Sequence, residues 1–358
     1  MRAAICRSHG TRLSIEEIDV APPGPDHVRV DIHVCAICHS DITYIDGGWG
    51  GPTPAIYGHE AAGIVESIGK GVSGIEPGDR VIVGLLRSCG DCFHCQRGEE
   101  NLCSGTFAET SPFTDASGSA VVRGLNTGAF AAQTVVHRSQ VVIVPDDVPL
   151  APASLLACGV LTGFGAVATT ASVPAGSSVA IIGLGGVGLS AVQGAVHTGA
   201  HPIVAIDIVP QKLAFARELG ATHVVNATEP HRTKVVREAT SGVGPDFVFV
   251  TVGVRSAIDQ ALGMVRRGGT VVFVGMPPTG LSTEIEVTNL ADGSQTLMGS
   301  KMGSGRMAHD VPRLIELYRS GDLVLDGLIS HTYPLEEINE AIAEVKAGEV
   351  VRNLIQFV

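Results

Sequence analysis

Apolar positions in the first half of the chain fall in short runs that fit half-buried strands: 27–34, 61–68, 80–83, 134–137 and 141–144. Turn signals such as Pro22-Pro23-Gly24-Pro25 and Pro77-Gly78-Asp79 separate them, and 104–128 reads as irregular chain containing Gly and Ser. This half is expected to be an all-β unit with long loops. The pattern changes near Leu155. Apolar runs at 179–182, 203–206, 224–225, 247–250 and 271–274 then alternate with helical stretches at 188–197, 212–219, 235–240 and 257–265. Alternation of that kind builds βαβ units, and right-handed crossovers lead to a doubly wound parallel sheet, so the fold class is α/β with a separate all-β part. Beyond residue 300 follow a helix over 311–318, a β-like 328–332, a helix over 335–347 and a last strand near 353–357. This tail is expected to return to the first unit.

Composition narrows the picture. A length of 358 residues fits two domains at roughly 100–200 residues each. With 45% hydrophobic and 17% charged residues, a packed core is expected rather than disorder. The net charge of -12 argues against nucleic acid or an anionic membrane as partner, so an anionic ligand must find a local positive site. No apolar run is long enough to span a bilayer, and Glu16, Glu17 and Asp19 interrupt an N-terminus that lacks a secretory pattern. A cytosolic location follows as the expectation, and clustered cysteines in a reducing compartment mean metal more often than disulfide.

Gly183-Leu184-Gly185-Gly186-Val187-Gly188 lies between an apolar strand and a helix. The first glycine of such a motif makes a tight turn, the second admits a pyrophosphate, and the third lets helix and strand pack closely. The helix N-terminus adds free N–H groups and a positive dipole end. Asp207 closes the next strand, where a carboxylate accepts from both adenosine ribose hydroxyls and repels a 2′-phosphate. Ile208 and Val209 follow instead of an Arg, which favours NAD over NADP. Lys212, one turn into the next helix, is placed to reach the same ribose.

Cys89, Cys92, Cys95 and Cys103 form a C-x2-C-x2-C-x7-C run. Four thiolates in a short loop suit a closed tetrahedral zinc that staples it; an iron–sulfur cluster is the rival, and the lack of a second Cys set favours zinc. His94, inside the run, reads as a surface residue. Cys38, His59 and Cys158 are each ambiguous alone, because a lone Cys is usually a small hydrophobe. Together they match a Cys2His zinc with an open fourth position.

In this order, the segments Cys38-His39-Ser40-Asp41, Gly58-His59-Glu60 and Cys158-Gly159, the four-Cys loop and the glycine fingerprint resemble the zinc-containing medium-chain alcohol dehydrogenases over nearly the whole chain. There is a further likeness to the liver-type members and to the bacterial branch with mycothiol- or NDMA-dependent enzymes. The resemblance implies a GroES-like catalytic domain in two pieces, 1–159 and 302–358, around a Rossmann domain, 160–301. It implies two zinc ions per chain and NAD. Cys38, His59 and Cys158 would hold a catalytic zinc with Glu60 beside it, and the four-Cys loop a structural one. Ser40 would take the substrate proton and Asp41 would support a zinc ligand. His39 and Arg352 would approach the cofactor phosphates, and Thr162 and Val187 the nicotinamide. Trp49 and Leu85 fall at substrate-pocket positions. Thr43 stands near a relay position where liver-type members have His, and Lys301 stands where an apolar pocket residue is frequent; its simplest role is solvent-facing.

The expected reaction interconverts an alcohol, of primary, allylic or aromatic type, and its aldehyde. Hydride leaves carbon only as the attached oxygen nears alkoxide character, which a Lewis acid permits at neutral pH. The expected partners are a small-molecule substrate and a second copy of the chain, as dimer or tetramer. The alternatives are a zinc-free quinone or enoyl reductase of the same fold, and a non-catalytic protein that binds NAD and zinc.

Overall fold

The computed structural model describes residues 1–107 and 110–357, so Ala108, Glu109 and Val358 lie outside the description. The chain divides into two compact units, Met1–Gly159 with Arg306–Val358, and Val160–Gly305.

The first unit is built on two sheets. The central strand of the larger one is His27–Ala36, where His27, Arg29, Asp31 and His33 alternate with buried Val28, Val30, Ile32 and Val34 before Cys35 and Ala36 are both buried. This is the period-2 signature of a strand with one covered face. Glu60–Ile68 and Gln133–His137 pair with it antiparallel, and Arg80–Val83 and Val141–Ile143 extend the sheet on one side. On the other side Arg352–Gln356 runs antiparallel to the central strand, with Leu354 opposite Ala36, so the end of the chain is an inner strand here. The smaller sheet joins Arg2–Ile5, Ser14–Val20, Phe113–Asp115, Ala120–Arg123 and Ala55–Ile56. One apolar core, with Ile5, Val30, Ile32, Phe113 and Phe130 fully or almost fully buried, serves both sheets.

Two of these strands fall within 104–128, which the apolar pattern reads as irregular. The segments Phe113–Asp115 and Ala120–Arg123 are too short to establish a period. They are joined by a turn in which Asp115 accepts from Ser117 N (3.0 Å), Ser117 Oγ (2.6 Å) and Ser119 N (3.1 Å). The turn chemistry, not the hydrophobic pattern, carries that hairpin.

The second unit is a six-stranded parallel sheet in the order His223–Asn226, Ile203–Asp207, Val179–Ile182, Phe247–Val250, Thr270–Phe273, Thr296–Gly299. Its central strands Val179–Ile182, Ile203–Asp207 and Phe247–Val250 are apolar and almost wholly buried, as expected of a sheet covered by helices. The first strand in sequence, Val179–Ile182, has its successors on opposite sides. That is the topological switch point, and the carboxyl end of this strand is where α/β sheets bind ligands. Residues 302–305, assigned in the sequence reading to the returning tail, group with this unit. Gly303 packs so closely on Gly165 that a Cβ at 165 would lie 2.6 Å from its carbonyl oxygen, and Ser304 Oγ bonds Thr170 at 2.9 Å. Among the described residues, no single helix is long and apolar enough to cross a membrane.

Candidate metal centres and dinucleotide site

The four-Cys loop closes on itself. The sulfurs of Cys89, Cys92, Cys95 and Cys103 all lie within 4.8 Å of one another. The Cys89–Cys95 and Cys92–Cys103 separations are both 3.9 Å. Tetrahedral Zn–S bonds of about 2.3 Å demand sulfurs about 3.8 Å apart. Backbone N–H groups of Cys89 and Gly105 point at the Cys103 sulfur and that of Cys92 at the Cys89 sulfur, each at 3.4 Å, which favours thiolates. Gly105 leaves room for the cluster: a Cβ there would come within 2.6 Å of Cys89 Sγ. His94 stays outside the sulfur set and bonds Glu99 at 2.9 Å.

The second cluster is buried. Cys38, the residue before the helix His39–Ile45, and His59 and Glu60, where the strand Glu60–Ile68 begins, meet Cys158 within 4.8 Å. Asp41, fully buried on the first turn of that helix, organises the group. Its carboxylate accepts from Cys38 N (3.1 Å), Gly58 N (2.9 Å) and His59 Nδ1 (2.9 Å). With Nδ1 committed, His59 turns Nε2 into the cluster, where that fully buried nitrogen has no hydrogen-bond partner. An orphaned imidazole nitrogen beside two sulfurs fits a metal ligand whose other nitrogen is oriented by a carboxylate. A hydrogen bond from Cys158, helped by His59, holds the Cys38 thiol well below its usual range against the effect of burial. The same bond and burial push the Cys158 thiol up. Burial raises the Glu60 carboxyl to about 8, although Arg352 opposes it from 3.5 Å. Gly159 makes room for this arginine, since a Cβ there would lie 2.4 Å from its terminal nitrogen. Arg352, expected near cofactor phosphates, is thus itself buried and set against Glu60.

In the second unit the fingerprint glycines divide by what crowds them. Gly183 has φ +94°, and a Cβ there would meet Val252 Cγ1 at 2.3 Å. A Cβ at Gly188 would meet the Gly183 carbonyl oxygen at 1.8 Å. At Gly185, the residue preceding the helix Gly186–His197, it would meet no protein atom within 4 Å. Protein packing does not require glycine at 185, and the open space leaves room for a pyrophosphate at this helix start. Asp207 is not a loosely solvated acid. It accepts from Leu184 N at 2.5 Å and Val209 N at 2.9 Å, which fixes its carboxylate beside the fingerprint loop. Thr251, which the sequence reading passed over, braces the loop with its hydroxyl 2.7 Å from the Gly183 carbonyl; only its place after an apolar strand hinted at this.

Other expected site residues have these positions. Ser40 is half-buried on the first turn of the helix His39–Ile45, and His39 is exposed beside it. The Thr43 hydroxyl donates back to His39 O at 2.8 Å, so its proton is committed. Trp49 and Leu85 are half-buried, the indole edge-on to Tyr44 at 5.1 Å. Thr162 is buried with its hydroxyl on Met302 Sδ at 3.5 Å, and Val187 sits in the first turn after Gly185. Lys212 is buried in its helix, while Lys301 is exposed.

A GroES-like unit carrying two cysteine-rich clusters, joined to a Rossmann sheet, is the architecture of medium-chain dehydrogenases. An alcohol dehydrogenase GroES-like domain matches residues 24–146, and a zinc-binding dehydrogenase domain matches residues 186–320. Alcohol dehydrogenase-like 7 of Arabidopsis thaliana is 36% identical over 98% of this chain and 94% of its own. Benzyl alcohol dehydrogenase from Acinetobacter calcoaceticus is similar at 31% identity and TM-score 0.93, covering 100% of this chain and 99% of its own. A zinc-binding dehydrogenase from Sinorhizobium meliloti, solved bound to NADP, is similar at 28% identity and TM-score 0.83, covering 99% and 98%. The chain belongs to the alcohol dehydrogenase-like family of zinc-binding dehydrogenases.

Proposed function

We propose that this protein is a zinc-dependent, NAD(H)-linked alcohol dehydrogenase that interconverts a primary, allylic or aromatic alcohol and its aldehyde. The observation that carries the reading is the buried Cys38–His59–Cys158 set, with His59 Nε2 orphaned and aimed into it. Zinc held there would supply Lewis acidity that makes a hydroxyl proton easy to lose near neutral pH. The chain's own residues do the rest. Asp41 fixes the His59 tautomer and, through Cys38 N, the start of the helix that presents Ser40. Two cysteine ligands would moderate the positive charge, so that product is released. Ser40, two residues from Cys38, accepts the alcohol proton and passes it outward; the committed Thr43 hydroxyl is a poor next donor, so the route is expected to use water or the ribose.

Asp207 supports NAD over NADP, because its fixed carboxylate suits ribose hydroxyls and opposes a 2′-phosphate. The NADP found on the Sinorhizobium meliloti relative makes this preference worth measuring. The aromatic preference rests on Trp49 with Tyr44 behind it, and on the benzyl alcohol activity named for a relative. Function as a homo-oligomer in the cytosol, with two zinc ions per chain, belongs to the same proposal.

The test is a panel of alcohols with NAD and with NADP, read at 340 nm, with zinc counted per chain. Ser40→Ala should lower turnover by roughly 100-fold or more, the scale of a lost general acid–base group, with zinc content unchanged. Normal turnover in that variant at neutral pH would remove Ser40 from the relay.

A further inference from the structure

Trp49 sits in a run that is otherwise glycine: Gly47-Gly48-Trp49-Gly50-Gly51. Gly47, Gly50 and Gly51 all have positive φ (+82°, +66° and +107°), so the turn uses conformations open to few other residues and is cheap to deform. Its internal bonds are few: Gly47 N to Tyr44 O (3.0 Å), Gly48 N to Thr43 O (2.8 Å) and Gly50 N to Gly47 O (3.0 Å). What joins its two ends is a residue distant in sequence. His9 Nδ1 lies 3.0 Å from Tyr44 O, ahead of the turn, and Nε2 lies 3.1 Å from Gly51 O, at its far end. The ring packs on Gly47, where a Cβ would come within 3.2 Å of His9 Cγ. Gly10 N adds a bond to Ile45 O at 2.8 Å.

Both partners of the ring are carbonyl oxygens, which only accept. A neutral imidazole has one N–H and satisfies one of them, turning a lone pair on the other; an imidazolium donates to both. Tyr44 O also belongs to the C-terminal turn of the helix His39–Ile45, where the backbone dipole favours a cation. The ionisable groups on the packed segments are already engaged. Asp46 pairs with Lys346 of the helix Ile338–Ala347 at 2.7 Å. Arg7 pairs with Glu16 and with Asp115. The Cys6 thiol is buried against Ser8 O and Ile45 O, and Tyr44 stacks on Tyr57 at 5.6 Å.

We propose that His9 is a positioning residue for Trp49: its ring, held between the Tyr44 and Gly51 carbonyls, clamps the glycine turn shut, fixes the indole, and so sets how tightly the alcohol is held, most firmly when both ring nitrogens carry a proton. The substrate part rests on Trp49 being a wall of the alcohol site, as proposed above. Loss of the ring proton breaks one end of the clamp and loosens the turn.

Trp49 is the sole tryptophan, so its fluorescence reports this turn alone. In the full chain, acrylamide quenching of Trp49 should rise as pH is raised across the range of about 5 to 8 in which histidine loses its charge. His9→Gln, which has one nitrogen donor and no titration, should quench strongly and equally at both ends. The KM for an aromatic alcohol in that variant should rise by about 2- to 10-fold, the worth of one hydrogen bond, while kcat holds. Amide exchange at Gly47–Gly51 in the unmodified chain, corrected for the intrinsic pH effect, should accelerate over the same range and requires no variant. Quenching and exchange that stay flat with pH, or a pH response retained in His9→Gln, would overturn the clamp. A quenching titration with an unmoved KM would overturn the substrate role and place the fault in the reading of Trp49, leaving the clamp intact.

Discussion

Gly185 and Gly188 are indistinguishable as letters, yet the structure gives them opposite reasons to be glycine. At 188 the constraint is internal, because any Cβ would run into the Gly183 carbonyl oxygen at 1.8 Å. At 185 the space is open, so on the proposed reading the constraint would come from the dinucleotide. Gly188→Ala is therefore expected to destabilise the second unit by about 1–3 kcal/mol or more, the cost of overpacking. Gly185→Ala should leave the melting temperature near that of the unmodified chain and weaken NADH binding. Thermal unfolding with and without NADH checks both; a Gly185→Ala chain that binds NADH normally would detach this glycine from the cofactor. The four-Cys run and the glycine fingerprint with Asp207 were legible from their spacing, while Cys38, His59 and Cys158, each ambiguous alone, were legible only as a set. His9 and Thr251 were not. A lone His and a lone Thr have many bland roles, and what gives them meaning here is a pair of distant carbonyls or one neighbouring loop.

Among the larger elements, the loop from Cys89 to Gly105 depends most on its ligand. Its regular structure is confined to two short 3-10 turns, Cys95–Arg97 and Glu100–Leu102, and the only buried residue in those turns is the polar Asn101. Apolar burial contributes little to such a loop, and an ion held by the four sulfurs would supply much of its order. Gly105→Ala would press on the Cys89 sulfur from 2.6 Å and spoil the tetrahedral spacing. The expected outcome is a chain with about one zinc fewer, cut faster by protease within this loop, and retaining its parallel sheet by circular dichroism; metal analysis and limited proteolysis check it. Unaltered zinc content would mean that the loop yields without losing its ion. The cysteine spacing made this element legible because the ligands are local. The hairpin at 113–123 escaped the hydrophobic pattern because three- and four-residue strands have no period to read, and its Asp115 turn is set by side-chain to backbone bonds. The central strands of the second unit are equally short, but each is an apolar run, as in Val179–Ile182 and Phe247–Val250, and needs no period to be read; the edge strand Thr296–Gly299 has no such run and was not legible.

At the scale of the whole molecule, the two chemistries rest on separate foundations. The buried Cys38–His59–Cys158 set and the four-Cys loop belong to the unit formed by Met1–Gly159 and Arg306–Val358, and the glycine fingerprint to Val160–Gly305, whose parallel sheet has an apolar core of its own. The proposed dinucleotide site would draw on the Gly185 opening, the start of the helix Gly186–His197 and Asp207, all of which lie in Val160–Gly305. Removing zinc from the intact chain should therefore abolish alcohol turnover while leaving NADH affinity close to that of the zinc-loaded protein. The sulfurs of the four-Cys loop are half-buried, whereas Cys38, His59 and Cys158 are at most 6% exposed, so a chelator should strip the loop first. Zinc release followed over time should show two phases. Protease sensitivity of the loop should track the fast phase and loss of turnover the slow one, with NADH fluorescence titrations unchanged through both. If NADH binding fell in step with the slow phase, the metal would be holding the dinucleotide site together, and the independence argued from the two cores would be wrong.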